Sequence, residues 1–257
     1  MQVLKQIPNE LESLKTPLKK LYYKGDISLL EKRKIAIVGS RRPINYTKTV
    51  TYELAKKLSD SGICIVSGAA MGVDVIAHRG AGSANTIAVM GNGLYHRYPK
   101  INNNTIKEME ENGLVISRFE PDFKATAWSF VVRNEIIVAL SEAIIITQAD
   151  LKSGSLRSAE FALKHDKPIY VLPHRLNESK GTNLLLKEGK AIAIYDIDEF
   201  VKKFDTKKDI KIEKDEFYEF CKNFPRYEDA LKLYGDKVFE AELEGKIVVQ
   251  NGKVRIV

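Results

Sequence analysis

Ile63-Cys64-Ile65-Val66-Ser67-Gly68-Ala69-Ala70-Met71-Gly72-Val73-Asp74 decides the fold. Four apolar residues read as a buried strand. Small residues then make a tight loop, and the segment through Ala77-His78-Arg79-Gly80 reads as a helix. Strand, small-residue loop and helix start are the parts of a phosphate-binding turn, because a helix N-terminus offers unpaired N–H groups. The spacing is neither G-x-G-x-x-G nor the P-loop with its Lys-Ser/Thr. The turn has the physics of an anion site without a dinucleotide or nucleoside-triphosphate signature. Asp74 is placed to cap the following helix.

Working outward, the same alternation recurs. Ile35–Val38, Thr86–Met90, Gly113–Ser117, Ala143–Thr147, Pro168–Leu172 and Ala191–Tyr195 are strand-like apolar runs. Tyr46–Leu58, Asn103–Glu111, Arg133–Leu140, Ser155–His165 and Gly181–Glu188 are helical patterns between them. Continuous apolar strands alternating with helices predict an α/β fold, a Rossmann-like doubly wound and mostly parallel sheet covered on both faces. Ligands of such sheets sit beyond the carboxyl ends of the strands, at a topological switch point.

Four divisions follow. Residues 1–33 read as a helical lead-in and 34–202 as the Rossmann-like domain. The charged run 203–214 reads as a linker and 215–257 as a small winged-helix-like domain. In that last part, two helical patterns precede Lys246–Gln250 and Lys253–Val257, and the Asn251-Gly252 between these runs is the strongest short hairpin signal.

The loops at strand ends carry the candidate chemistry. Gly39 admits a ligand to the backbone, Ser40 supplies a hydroxyl, and Arg41 supplies a planar donor matched to phosphate. After the Gly113–Ser117 strand, Lys124, Trp128, Phe130, Arg133 and Asn134 interleave aromatic and basic groups, a pattern suited to stacked bases with phosphates alongside. The bland alternative is that Trp128 and Phe130 pack under their loop. Ser153-Gly154-Ser155 opens a helix and can hold an anion, and Gly181-Thr182-Asn183 repeats the pattern. No nucleophile elbow and no paired carboxylates stand in these loops. His78, His96, His165 and His174 lack metal-ligand spacing, and His78 reads as a packing or hydrogen-bonding residue.

Composition sets the frame. Net charge is +7; residues 201–257 hold 13 Lys and Arg against 12 Asp and Glu, leaving 28 against 22 in residues 1–200. The basic excess favours a polyanion partner of the larger domain. No apolar run reaches membrane-spanning length, and the N-terminus lacks a signal-peptide core. Cys64 and Cys221 are far apart, Cys64 inside a strand, so a reducing cytoplasm fits.

Taken together, these segments resemble the DprA/Smf family of DNA-processing proteins of bacterial natural transformation. The resemblance rests on Ile35–Arg41, Ser67–Asp74 with Ala77-His78, Thr86–Gly93 with Tyr98-Pro99, Phe130–Asn134, Ser153–Leu156 and Gly181–Asn183, preceded by Lys24-Gly25-Asp26. It covers roughly residues 8–200. Glu242–Gly245 and the following hairpin resemble the winged-helix tail of many members. The family implies single-stranded DNA binding without turnover, protection of incoming strands, loading of the RecA recombinase, and a homodimer. By position, Gly39, Ser40, Arg41, Lys124, Phe130, Arg133, Asn134, Ser153, Gly154 and Ser155 would contact DNA, with no cofactor or metal. Two positions depart: Glu135 stands where a second Arg is usual, and His174 where a Gly is usual. The rival readings are a nucleotide phosphoribohydrolase of the lysine-decarboxylase-like Rossmann type and an interaction protein with a vestigial pocket. The first looks for a Pro-Gly-Gly-x-Gly-Thr loop, and this chain has Ser153-Gly154-Ser155-Leu156-Arg157 there.

Overall fold

The structure is a computed structural model that describes residues 1–12, 14–204, 216–250 and 252–256. It divides into two compact units, Met1–Thr206 and Lys207–Val257.

The first unit is built on the strands β1 (Gln2–Val3), β2 (Tyr22–Gly25), β3 (Lys34–Val38), β4 (Cys64–Ser67), β5 (Thr86–Val89), β6 (Leu114–Ser117), β7 (Ala143–Ile146), β8 (Ile169–Val171) and β9 (Ile192–Ala193). They form one sheet in the order β1-β2-β6-β5-β4-β3-β7-β8-β9. The strands from β6 to β9 are parallel, and β1 and β2 run antiparallel at one edge. The order reverses at β3, which lies between β4 and β7. The loops leaving β3 and β7 therefore flank a switch point, where ligands of such sheets bind.

Strand alternation explains why these runs are apolar throughout. Ile35 and Ile37 face one side, with α1 (Asn45–Asp60) and α2 (Val73–Ala81) supplying Leu54, Leu58, Val73 and Ala77. Ala36 and Val38 face the other, with α4 (Ala127–Leu140) and α5 (Gly154–Lys164) supplying Ile136, Ile137, Ala159 and Ala162. Each of the central strands β3 to β7 buries both faces, so no polar alternation can appear there. The remaining helices of this unit are α3 (Asn103–Asn112), α6 (Lys180–Lys187) and α7 (Ile197–Lys202).

Four expectations are corrected. Residues 1–33 are not a helical lead-in: β1, β2 and 3-10 turns at Asn9–Leu11 and Ile27–Glu31 occupy them. Pro8 and Pro17 interrupt any long helix, Tyr22 and Tyr23 favour the strand, and Leu11, Leu14, Leu21 and Leu29 bury into the core beside α4. Helix α4 starts at Ala127 and not Arg133. Thr126 Oγ1 accepts from Ser129 N–H at 3.2 Å and Ser129 Oγ accepts from Thr126 N–H at 2.9 Å, a reciprocal cap that a Thr-x-x-Ser sequence does not advertise. Strand β9 is only two residues long, since the sheet edge gives it one neighbour. Within the expected linker, Phe204 packs on Tyr170 and Phe200; residues 205–214 lie outside the described residues.

The second unit has α8 (Glu216–Cys221), α9 (Tyr227–Tyr234) and α10 (Asp236–Leu243), then β10 (Ile247–Gln250) paired antiparallel with β11 (Lys253–Ile256). Its own core is Phe217, Cys221, Ala230, Val238, Ala241, Ile247 and Val254. Gln250 pairs with Lys253 across the turn, where Gly252 has φ +71°, while Asn251 lies outside the described residues.

Candidate nucleic-acid interface

The loop after β3 is fastened on two sides. Ser40 N–H donates to Gln148 O at 2.8 Å, and Ser40 O accepts from Val73 N–H at 3.1 Å. Gly72 has φ +80°, and a Cβ there would stand 2.3 Å from Ser40 O. Only glycine allows this approach, so the loop that decides the fold serves as the wall against which Gly39–Arg41 is set. Ser67 Oγ donates to Ile37 O at 2.6 Å. His78 is buried; its Nε2 accepts from Ala69 N–H at 3.2 Å and its Nδ1 lies 2.7 Å from Thr86 Oγ1. Burial, aided by the Arg133 charge, pushes His78 down to about 3, so the ring is neutral and structural.

Arg41 is exposed, and its guanidinium lies 5.5 Å from the Phe130 ring centroid. Arg133, one turn further along α4, lies 5.7 Å from the same centroid. Because α4 begins at Ala127, Phe130, Arg133 and Asn134 share a face at helical spacing. Arg133 is 4% exposed. Its Nη1 donates to Val89 O at 3.3 Å and stands 3.7 Å from Asp74 Oδ2, while its buried Nε has no hydrogen-bond partner among the described residues. Burial lowers the Arg133 pKa against the pull of Asp74, and burial raises that of Asp74 against the pull of Arg133. Desolvation thus outweighs mutual attraction at both ends of the pair.

Asp74 does not cap α2. It sits inside the helix behind Gly72, turns back toward the loop and accepts from Ala70 N–H at 3.4 Å. The buried cation draws it there. Gly68 completes the cage, since a Cβ on it would fall 1.2 Å from Arg133 Nη1.

On the opposite wall, Asn134 Nδ2 donates to Gly154 O at 3.3 Å. Ser153 Oγ accepts from Leu156 N–H at 3.4 Å, leaving the α5 N-terminus open at Gly154 and Ser155. Gly39, Ser40, Arg41, Phe130, Arg133, Asn134, Ser153, Gly154 and Ser155 line one cleft of about 580 Å³. Lys124 is not among them; it lines a neighbouring groove with Tyr95 and Tyr98. Asp74, Asp150 and Arg157 also line the cleft and were not expected there as binding residues. Arg157 follows Ser155 by two positions, and its basic side chain at a helix start was the available signal.

Other residues stand back from the cleft. Trp128 is 62% exposed and meets Phe119 edge-on, so it does not pack under the loop. Gly181 N–H donates to Ala149 O at 2.8 Å, and the Gly181–Asn183 turn buttresses the end of β7. Glu135 accepts from Lys15 N–H at 3.3 Å and lies 4.0 Å from His165 Nε2, away from the cleft. His174 Nε2 donates to Thr147 O at 2.7 Å and packs edge-on against Tyr46. Neither departure touches the proposed contacts. A larger cavity, about 1110 Å³, lies at the amino end of β3. Its buried lysine is engaged, Lys34 donating to Leu30 O at 2.6 Å and Lys32 O at 2.9 Å. Among the described residues no acidic, His or Cys cluster is arranged for a metal ion.

The cleft joins the guanidiniums of Arg41, Arg133 and Arg157, a helix N-terminus and an aromatic wall, which is chemistry for a phosphate with a base beside it. Residues 2–205 match the family described as DNA recombination-mediator protein A. The chain belongs to this family. Relatives carry the expected DprA and Smf names. DNA processing protein DprA of Bacillus subtilis is 39% identical over 194 residues, 73% of this chain and 65% of its own. Protein Smf of Escherichia coli is 33% identical over 66% of this chain and 46% of its own. The match thus spans about half to two thirds of these curated family members. Among solved structures, DNA processing protein A of Helicobacter pylori, studied for its single-stranded DNA binding mode, has TM-score 0.78 and 46% identity, covering 79% of this chain and 94% of that one. DprA of Streptococcus pneumoniae has TM-score 0.71 and 31% identity, covering 76% and 70%. The DprA/Smf resemblance and the Rossmann-like sheet are both borne out.

Proposed function

We propose that this chain binds single-stranded DNA in the cleft at the β3/β7 switch point, as a binding protein and not as an enzyme. The observation that carries the reading is the convergence of Arg41, Phe130, Arg133 and the α5 N-terminus on one cleft. A backbone phosphate sits between Arg41 and the amides of Gly154 and Ser155, and Phe130 forms the apolar wall beside it. Asp74 neutralises Arg133 from behind, so the exposed Arg41 and Arg157 are the cations that a strand meets first. The wider role that the DprA/Smf resemblance implies, protection of incoming strands in transformation, RecA loading, a homodimer and a cytoplasmic setting, is part of the same proposal. We read residues 215–257, with their three helices and hairpin, as a winged-helix-like domain.

The test is binding of an oligothymidine strand at two salt concentrations. Affinity falls steeply with salt, and Arg41→Ala weakens it by roughly 10- to 150-fold, the equivalent of a charge-assisted contact of about 1.5–3 kcal/mol. Nucleotide hydrolysis without strand binding would replace this reading with the phosphoribohydrolase one. Light scattering on the full chain tests the dimer, and a recombinase-loading assay on coated strands tests the RecA role.

A further inference from the structure

We propose that a strand leaving the cleft continues over Tyr98 into a second groove, where Tyr95 and Tyr98 carry bases and Lys100 and Lys124 carry phosphates. This rests on the single-stranded DNA reading above and extends it to a further subsite.

The groove is about 820 Å³, larger than the cleft, and includes Tyr95, His96, Arg97, Tyr98, Lys100 and Lys124. Among the described residues no carboxylate lines it, whereas Asp74 and Asp150 line the cleft. The two are continuous. A narrow space between them shares Arg41, Phe130 and Arg133 with the cleft, and Asn92 and Tyr98 with the groove. The Phe130 and Tyr98 rings are 5.9 Å apart and tilted by only 32°, so one aromatic step leads to the next.

The side chains are also available. Tyr95 is 68% exposed and Tyr98 48%. Among the described residues neither Lys100 nor Lys124 has a carboxylate in ion-pair range, whereas Arg97 is held by Glu110 at 2.7 Å and shapes the wall. The platform is rigid before anything binds: Gly93 N–H donates to Phe123 O at 2.8 Å, Tyr95 N–H to Pro121 O at 2.9 Å, and Asn92 Nδ2 to His96 O at 2.6 Å. A preorganised loop loses little freedom on binding. Bare rings with unpaired lysines alongside are the pattern that holds single strands, because any base stacks and each phosphate finds a cation.

The experiment is fluorescence anisotropy of the full chain with oligothymidines of about 4 to about 20 nucleotides, a span that brackets common single-strand site sizes. Wild-type affinity climbs with length beyond the shortest strand bound. Tyr95→Ala loses about tenfold on long strands, within the roughly 5- to 150-fold expected for one stacked base, and loses nothing on the shortest. Lys100→Ala reduces the salt slope on long strands by about 0.7, one phosphate contact. Both side chains are at the surface, so neither variant threatens the fold. If both variants match wild type at every length, the groove is not used. A loss equal at all lengths also overturns the proposal, since the groove would then not be a second stretch. Failure of the parent reading shows separately, as a wild-type chain that binds no strand.

Discussion

Gly68→Ala tests the cage around Arg133 most sharply. The added methyl would lie 1.2 Å from Arg133 Nη1, 2.2 Å from Cζ and 2.7 Å from Asp74 Oδ2. No such contact survives, and the guanidinium, at the end of a flexible side chain, swings out into the cleft that it lines. Asp74 then remains buried without its cation. Breaking a buried pair in this way costs about 3–5 kcal/mol. Protonation of Asp74 limits the loss, because an uncharged carboxyl no longer needs a partner. The sign follows from the direction of the shift. Burial already raises the Asp74 pKa in the folded chain, and loss of Arg133 raises it further. A raised carboxyl contributes stability below its unfolded pKa, and that contribution is lost as pH rises. The deficit of Gly68→Ala is therefore largest near neutral pH and shrinks on acidification. Each pH unit across which Asp74 stays protonated only when folded is about 1.4 kcal/mol. Between about pH 7 and about pH 5 the deficit shrinks by up to ~2.7 kcal/mol, less the share that native Asp74 already contributes. Urea unfolding of both proteins at the two pH values measures it, and adding Asp74→Asn to Gly68→Ala removes the pH dependence. A deficit that is the same at both pH values refutes the argument, because the methyl would then strain the loop without orphaning the carboxylate.

Arg41→Ala retains the wild-type unfolding midpoint, since the side chain is exposed, while its oligothymidine binding falls and the salt slope flattens by about 0.7. Thr126→Ala removes one half of the reciprocal cap on α4 and lowers stability by about 1 kcal/mol in denaturant melts, with a weaker effect on strand binding through Phe130. Burial pushes the Cys64 thiol up to about 12, so a thiol reagent at mildly alkaline pH labels it only after denaturant unfolds the sheet.

The fold was legible in the chain because its central strands bury both faces. Ile35–Val38 and Ala143–Ile146 read as uninterrupted apolar runs for that reason, and the helices between them kept their period. The first 33 residues were not legible. Their leucines suggest an amphipathic helix, but Pro8 and Pro17 divide them, and pairing of Tyr22–Gly25 with Leu114–Ser117 is a contact across some ninety positions. Nine of the ten candidate residues reach the same cleft, since strand-end loops of a parallel sheet open on one edge. Lys124 does not, because the segment after β6 folds back along Gly93–Tyr95 before α4 begins.

From its amino acids alone, the chain determined that a two-sided parallel sheet would form and which loops would lie at its carboxyl edge. Glycines at 39, 68 and 72 marked where backbone or side chains crowd together. Tertiary structure decided the rest. Seating β3 between β4 and β7 brings Arg41 to Phe130, and burying α4 on the sheet carries Arg133 to Asp74 and Val89. Local propensity and period act over a few residues, whereas these contacts join positions tens of residues apart. Nothing in the spacing of Ser67–Asp74 shows that its carboxylate will balance a buried arginine from another helix; that follows only once both are taken out of water together.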